Sequence, residues 1–225
     1  MLECVHQRVA GARLVDRVII ATDDARILEE ARRFGAEAEM TRADHSTGTD
    51  RVAEVAARNH AGIIVNVQGD EPLLDPAAID LAITPLLDAA PAPMSTLKKQ
   101  IADPRDLHDP NVVKVVTDLA GNAIYFSRSL IPFPRDGAPA THFKHIGLYV
   151  YQRSFLLGYS QLPVGPLERA EKLEQLRALE NGHRIRVVET TYEAIGVDTP
   201  EDLERVRSIV NRQSLNRQSL EHKHG

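Results

Sequence analysis

Along its first half the chain alternates short β-branched runs with helical stretches. No other feature constrains the fold as strongly, because that order is the signature of βαβ units around a mainly parallel sheet. Val18-Ile19-Ile20 lies inside a run from Arg17 to Ala21. Thr22-Asp23-Asp24 then supplies a cap for a helix that continues through Phe34 and ends at Gly35. A second short strand is expected near Ala38 to Thr41. A helix follows over about Asp50 to Arg58, then a strand over Ile63 to Val67, then a helix from Pro76. The apolar character of Ile63 to Val67, interrupted only by Asn66, predicts burial on both faces.

The middle of the chain changes character. Val112 to Thr117 and Ala123 to Phe126 flank Asp118-Leu119-Ala120-Gly121-Asn122 and read as a hairpin with a longer loop. From His145 to Tyr151 the residues alternate, with Ile146, Leu148 and Val150 on one side and His145, Gly147, Tyr149 and Tyr151 on the other. The first face is expected to be core. The second is expected to be a polar, ring-lined surface, suited to a substrate floor or a subunit contact. Pro166 to Asn181 reads as one helix, with Leu167, Ala170, Leu173, Leu176 and Leu179 at helical spacing and Gly182 beyond its end. The last helix opens at Thr199-Pro200-Glu201-Asp202, which places a hydroxyl at the N-cap and proline at the first helical position. Asn211 to Leu215 repeats as Asn216 to Leu220, a polar duplication expected to fray. The expected fold is α/β, a mainly parallel Rossmann-like sheet flanked by helices. It forms one domain over residues 1–210, with a smaller mixed β lobe over about 112–165 and a polar tail over 211–225.

A chain of 225 residues buries enough apolar surface to need no staples. Cys4 is the only cysteine, so no internal disulfide forms and a reducing compartment, the cytoplasm, is expected. Twenty-seven basic residues against thirty-two acidic ones leave a net charge of −5, which disfavours nucleic acid as the main partner. Runs such as Ile63-Ile64-Val65 are far too short to span a bilayer, and Met1-Leu2-Glu3-Cys4-Val5-His6 lacks the basic start and apolar stretch of a signal peptide.

Two segments offer chemistry. Asn66-Val67-Gln68-Gly69-Asp70-Glu71-Pro72 directly follows a strand, and ligands of open α/β sheets bind beyond the carboxyl ends of strands. A carboxylate there can hold a hard cation and Gly69 admits a close ligand approach, although Gly-Asp and Glu-Pro are equally ordinary turn pairs. In Gly196-Val197-Asp198-Thr199-Pro200-Glu201-Asp202-Leu203, Asp198 precedes a helix N-terminus, where a carboxylate is favoured by the dipole without any ligand. With Asp70 it makes a pair of carboxylates from distant regions, as a magnesium site for a polyphosphate requires.

These blocks occur in order with Thr41-Arg42-Ala43-Asp44-His45-Ser46-Thr47-Gly48-Thr49-Asp50-Arg51, Tyr125-Phe126-Ser127-Arg128, His145-Ile146-Gly147-Leu148-Tyr149 and Pro166-Leu167-Glu168-Arg169-Ala170-Glu171-Lys172-Leu173-Glu174-Gln175-Leu176-Arg177. Over about residues 3 to 210 the chain resembles the 3-deoxy-manno-octulosonate cytidylyltransferases, or CMP-Kdo synthetases. The resemblance implies a nucleotidyltransferase that joins CTP and the sugar acid Kdo into CMP-Kdo and pyrophosphate for lipopolysaccharide assembly. It implies Mg2+ held by Asp70 and Asp198, both catalytic. It assigns the loop carrying Arg42, Ser46, Gly48 and Thr49 to cytidine, where a plain capped helix entry would use the same residue types. Arg128 is the expected partner of the Kdo carboxylate, since a guanidinium binds it bidentately. Gln68, His145, Tyr149, Glu168 and Gln175 are expected around the sugar hydroxyls. His145 could equally serve a subunit contact, and Glu168 could simply favour a helix N-terminus. A homodimer is expected.

Two rival functions stand beside this one: transfer to another acidic sugar, such as a sialic acid or an amino-modified Kdo, and a non-catalytic sugar-binding or nucleotide-binding relative. The family pattern also opens with a strand and a loop of the form Pro-Ala-Arg-x-x-Ser-x-Arg-x-Pro-Gly-Lys that wraps the triphosphate. This sequence has no such block, and no lysine before Lys98. The 225-residue chain is therefore expected to bind CTP poorly, and a chain extended upstream to be active.

Overall fold

The structure is a computed structural model that describes residues 1–88, 92–137, 139–197, 199 and 201–209. In chain order its elements are α1 (Leu2–Ala10), β1 (Ile19–Thr22), α2 (Ala25–Arg33), β2 (Glu37–Met40), α3 (Gly48–Arg58), β3 (Ile63–Asn66), α4 (Pro76–Ile83), β4 (Met94–Gln100), α5 (Pro104–His108), β5 (Lys114–Thr117), β6 (Ala123–Ser127), β7 (Phe143–Gln152), α6 (Arg153–Tyr159), α7 (Pro166–Glu171), α8 (Leu176–Glu180) and β8 (Ile185–Glu189). Residues 201–209 are also helical.

Local chemistry places the ends of these elements. Asp24 caps α2 by accepting the Arg26 N–H at 2.7 Å. Asp75 and Asp103 do the same for α4 and α5, each followed by a proline in the first turn. The last helix opens on a reciprocal cap: Thr199 Oγ1 accepts the Asp202 N–H, and the Asp202 carboxylate accepts the Thr199 N–H at 3.0 Å. Between β5 and β6 the Asp118 carboxylate accepts the Asn122 N–H at 2.7 Å, and Gly121 turns the loop at φ +81°. A side chain is strained in that left-handed conformation, so Gly121→Ala is expected to cost about 1–2 kcal/mol in urea denaturation.

The α/β architecture is built on two sheets. β1 and β2 pair in parallel. The larger sheet runs β6-β5-β7-β4-β8, with β3 also on β7. β4 and β8 are parallel, whereas β7 runs antiparallel to β3, β4 and β5, and β5 to β6. The antiparallel pairs all involve the hairpin or the strand after it, where no helical crossover restores the chain direction. β1 and β3 each pair on one side only, with no ladder partner on the other edge among the described residues, and α3 packs against both.

Two apolar clusters flank the large sheet. Ile146, Leu148 and Val150 face one cluster together with Val5 and Val9 of α1 and Ile79 of α4. The opposite face of β7 is not the open surface that alternation predicts. Tyr151 is only 2 % exposed and packs with Met94, Phe126, Leu156, Tyr159 and Leu176 in a second core. β4 pairs along one edge of β7, and β3 and β5 along the other. At its Tyr151 end the strand is thus covered on both faces, whereas His145, Gly147 and Tyr149 remain partly exposed, as a substrate floor or a subunit contact would need.

The single helix expected over Pro166 to Asn181 is two. Lys172 adopts a left-handed conformation at φ +54°, and Leu173–Gln175 form a turn before α8 begins. Tertiary bonds satisfy what the break releases. Tyr159 OH donates to the Glu174 carbonyl at 2.7 Å, and Arg177 donates from Nε and Nη2 to the Glu168 carboxylate at 2.9 and 2.6 Å. Helical periodicity alone does not foresee this, because the leucine spacing survives a one-turn interruption.

Candidate functional site

The break before α8 has a local consequence: it turns Glu174 and Gln175 toward two different neighbours. The Glu174 carboxylate accepts from Thr47 Oγ1 and Thr49 Oγ1, both at 3.2 Å. Thr47 is also the N-cap of α3, its oxygen accepting the Asp50 N–H at 3.2 Å. Burial pushes the Glu174 carboxyl up, opposed by Arg177 and the two threonine hydroxyls. Gln175 accepts the Tyr149 hydroxyl at 3.0 Å on Oε1. It is 3 % exposed, and its Nε2 has no partner among the described residues. An unmatched buried amide donor costs free energy until something accepts from it.

Tyr149 extends that row along β7. Its ring lies 5.4 Å from the His145 ring, which is held edge-on to Phe126 at 5.0 Å. His145 Nε2 meets Thr96 Oγ1 at 2.8 Å. His145 is half-buried as a residue, and the packed protein around its ring pulls the pKa from 6.5 down to about 3. The unfolded chain therefore takes up the proton first, so stability contributed above pH 6.5 is lost as pH falls toward about 3. Urea midpoints of the protein and of His145→Asn should converge as pH falls from 7.5 to 4.5. A constant gap would contradict a neutral buried ring.

The loop after β3 joins this row at one end. Asn66, the last residue of β3, is directly paired with Tyr149, and Gln68 Nε2 reaches Asn66 Oδ1 at 3.4 Å. Further along, the Asp70 carbonyl accepts the Val197 N–H at 3.0 Å, which docks the Gly196-Val197 segment on this loop. Glu71 is held aside by the Tyr192 hydroxyl at 3.2 Å, and burial raises its pKa. The half-exposed Asp70 carboxylate accepts no hydrogen bond from the described residues, so as a hard oxygen donor it fits a hard cation. Asp198 lies outside the described residues, and no group of three or more metal-ligating side chains forms among them.

The loop before α3 is braced from within. Arg51 donates to Thr41 Oγ1 at 2.5 Å and to Asp23 at 2.9 Å. Glu54 accepts the Arg42 N–H at 3.1 Å and also meets His45 and Arg58. Arg42 is exposed and paired with Asp44 at 2.8 Å, while Ser46 and Gly48 are exposed at the helix entry. Thr49 is buried, tied to Glu174 rather than open.

Two other expected ligands have local partners. Arg128 donates from Nε to the Glu171 carbonyl and from Nη1 to the Pro110 carbonyl, both at 2.8 Å. The Glu168 carboxylate is filled by Arg177. The structure thus brings Thr49, Gln68, Tyr149, His145 and Gln175 into one connected row and leaves Arg42 and Glu168 engaged elsewhere. Sequence reasoning missed Glu174 and Thr96. The leucine spacing gives no sign of the break that presents Glu174 to the threonines, and Thr96 lies in a strand without any motif.

The comparisons with known proteins agree with one another. The sequence profile of a family described as Cytidylyltransferase matches residues 1–185. A 3-deoxy-manno-octulosonate cytidylyltransferase of Solibacter usitatus (strain Ellin6076) is 67% identical over 210 residues, covering 93% of this chain and 83% of that relative. One from Geobacter sulfurreducens is 57% identical over 217 residues, covering 92% and 87%. A solved CMP:2-keto-3-deoxy-manno-octonic acid synthetase in complex with CTP superposes with a TM-score of 0.91 at 40% identity, covering 94% of this chain and 88% of that one. A match over most of the length, in sequence and in fold, has one reading: the chain belongs to the cytidylyltransferase family, among its 3-deoxy-manno-octulosonate members.

Proposed function

We propose that the protein transfers the cytidylyl group of CTP to 3-deoxy-D-manno-octulosonate, giving CMP-Kdo and pyrophosphate for lipopolysaccharide assembly. The observation that carries this reading is the continuity of the row: Thr47 and Thr49 at the α3 entry, Glu174-Gln175, Tyr149 and the loop leading to Asp70 are linked by direct contacts. A nucleotide over α3 and a polyhydroxylated sugar over Tyr149 and Gln175 would meet at that loop.

In the reaction the anomeric hydroxyl of the sugar forms a bond to the α-phosphorus. The bond from that phosphorus to the bridging oxygen breaks, pyrophosphate leaves with the electron pair, and the hydroxyl proton is released to solvent. Positioning and charge stabilisation dominate such a step. The α3 entry, with Ser46, Gly48 and Thr49, orients the cytidine, with Arg42 at its rim. Gln175 Nε2 donates to a sugar oxygen, with Gln68, Tyr149 and His145 beside it. Arg128 has a guanidinium anchored through two nitrogens and binds the sugar carboxylate through the remaining one. Asp70 and Asp198 hold Mg2+, which when bound shields the polyphosphate charge.

We further read the protein as a cytoplasmic homodimer. The lone Cys4 supports a reducing compartment, and no helix among the described residues is long and apolar enough to cross a membrane. The edges of β1 and β3 that have no ladder partner among the described residues support a further strand, bearing the triphosphate loop, in the active enzyme. Mass-spectrometric analysis of a chain lengthened upstream by that strand and loop, incubated with CTP, Mg2+ and Kdo, should reveal CMP-Kdo. Its absence would overturn the reading.

A further inference from the structure

We infer that Thr96 is a positioning residue that fixes His145 in one tautomer, making the imidazole an obligate hydrogen-bond acceptor toward a hydroxyl of the bound sugar. This rests on the sugar-binding reading of the β7 row, and its starting observation is an irregularity of the sheet. β4 and β7 pair regularly as Met94↔Tyr151, Ser95↔Val150 and Thr96↔Tyr149, and then the partner of Leu97 jumps to Ile146. Gly147 and Leu148 are bulged out of register opposite Thr96, which displaces backbone carbonyls from the ladder.

Thr96 repairs that defect. Its hydroxyl is fully buried, with Oγ1 3.0 Å from the Ile146 carbonyl and 2.8 Å from the Leu148 carbonyl. Carbonyls only accept, so the single hydroxyl proton of Thr96 is committed to them. The third neighbour of Oγ1 is His145 Nε2 at 2.8 Å. With the Thr96 proton directed elsewhere, that contact is a hydrogen bond only if Nε2 carries the ring proton and donates it. A neutral imidazole then has an unprotonated Nδ1, and burial keeps the ring neutral. Nδ1 makes no hydrogen bond to the described residues. The Phe126 and Tyr149 rings hold the imidazole plane, so its direction is set as well.

The consequence is a specificity rule. Nδ1 accepts from a hydroxyl and gives nothing to a carbonyl, an ether or a carboxylate. Across Tyr149, Gln175 Nε2 is a donor with no partner among the described residues. The two positions thus offer opposite polarities, and a sugar deoxygenated or O-methylated at the hydroxyl facing Nδ1 is discriminated against.

Nitrogen-15 NMR of histidine-labelled 225-residue protein at pH 7 tests the tautomer without any substrate. The expected result is a protonated-type signal for His145 Nε2 and an unprotonated-type signal for Nδ1. Thr96→Ser should preserve that pattern, and Thr96→Val should lose it. A protonated Nδ1 in the unaltered protein overturns the proposal, even if Thr96→Val fails to fold. In the upstream-lengthened enzyme, Thr96→Val should raise KM for Kdo about tenfold, the loss of one uncharged hydrogen bond. KM for CTP should stay unchanged, and Thr96→Ser should restore the Kdo value. An unmoved Kdo KM despite the altered tautomer overturns the specificity role. Failure of the unaltered enzyme to use Kdo at all would instead strike the functional reading and leave the NMR result standing.

Discussion

Replacing Asp70 with asparagine in the upstream-lengthened enzyme is expected to reduce kcat for pyrophosphate release by about 100–1,000-fold, the effect of removing one principal charge-stabilising group. The same substitution should leave the unfolding midpoint unchanged. The Asp70 carboxylate is half-exposed and bonded to none of the described residues, so none of them depends on it. The part of Asp70 that does hold structure is its carbonyl, which accepts from Val197, and asparagine keeps it. Loss of activity with retained stability separates a cation ligand from a turn residue. Calorimetric titration with CTP and Mg2+ gives a second readout, in which Asp70→Asn should remove the Mg2+-dependent heat. An enzyme of undiminished kcat would return Asp70 to the role of an ordinary turn residue.

The second large effect falls on stability. Glu168→Gln should destabilise the protein by about 3–5 kcal/mol, because it leaves the Arg177 guanidinium buried without its counter-charge. Both side chains are almost completely enclosed, and the pair is bidentate at 2.6 and 2.9 Å. Arg177 also lies over the Tyr159 ring, whose hydroxyl holds the Glu174 carbonyl. Loosening this pair should therefore disturb the turn that presents Glu174 and Gln175. Chemical denaturation measures the first effect. The double replacement Glu168→Leu with Arg177→Met, which removes both charges, should recover much of the stability. If Glu168→Gln were as stable as the parent while KM for Kdo rose, Glu168 would be a sugar ligand after all.

Much of the fold was legible because its signals are local. The Asp24 cap, the Gly121 turn and the Thr199-to-Asp202 box each satisfy backbone groups within a few residues, the run Val18-Ile19-Ile20 carries its strand preference in its own side chains, and each lies where its sequence predicts. The candidate site was legible as a set of blocks but not as a geometry. Lys172 adopts a left-handed conformation without being glycine or asparagine, so nothing in the sequence marks the break that redirects Glu174. Tyr151 alternates onto a face that reads as half-polar, yet α6 and α8 enclose it through contacts distant in sequence. Glu168 resembles a first-turn carboxylate, and only the packed structure brings Arg177 onto it. Thr96 carries no motif at all, since its role is set by a bulge in a strand some fifty residues away. In each case a non-local partner decided what an ambiguous local pattern became.

The central claim is that this chain builds a site for joining CTP to Kdo. Its most direct test is the initial rate of pyrophosphate release from CTP and Mg2+ by the upstream-lengthened enzyme, offered Kdo, N-acetylneuraminate or no sugar. The account predicts release that depends on Kdo, with little from the sialic acid and none without an acceptor. Equal release with all three, or release supported by the sialic acid but not by Kdo, would contradict it.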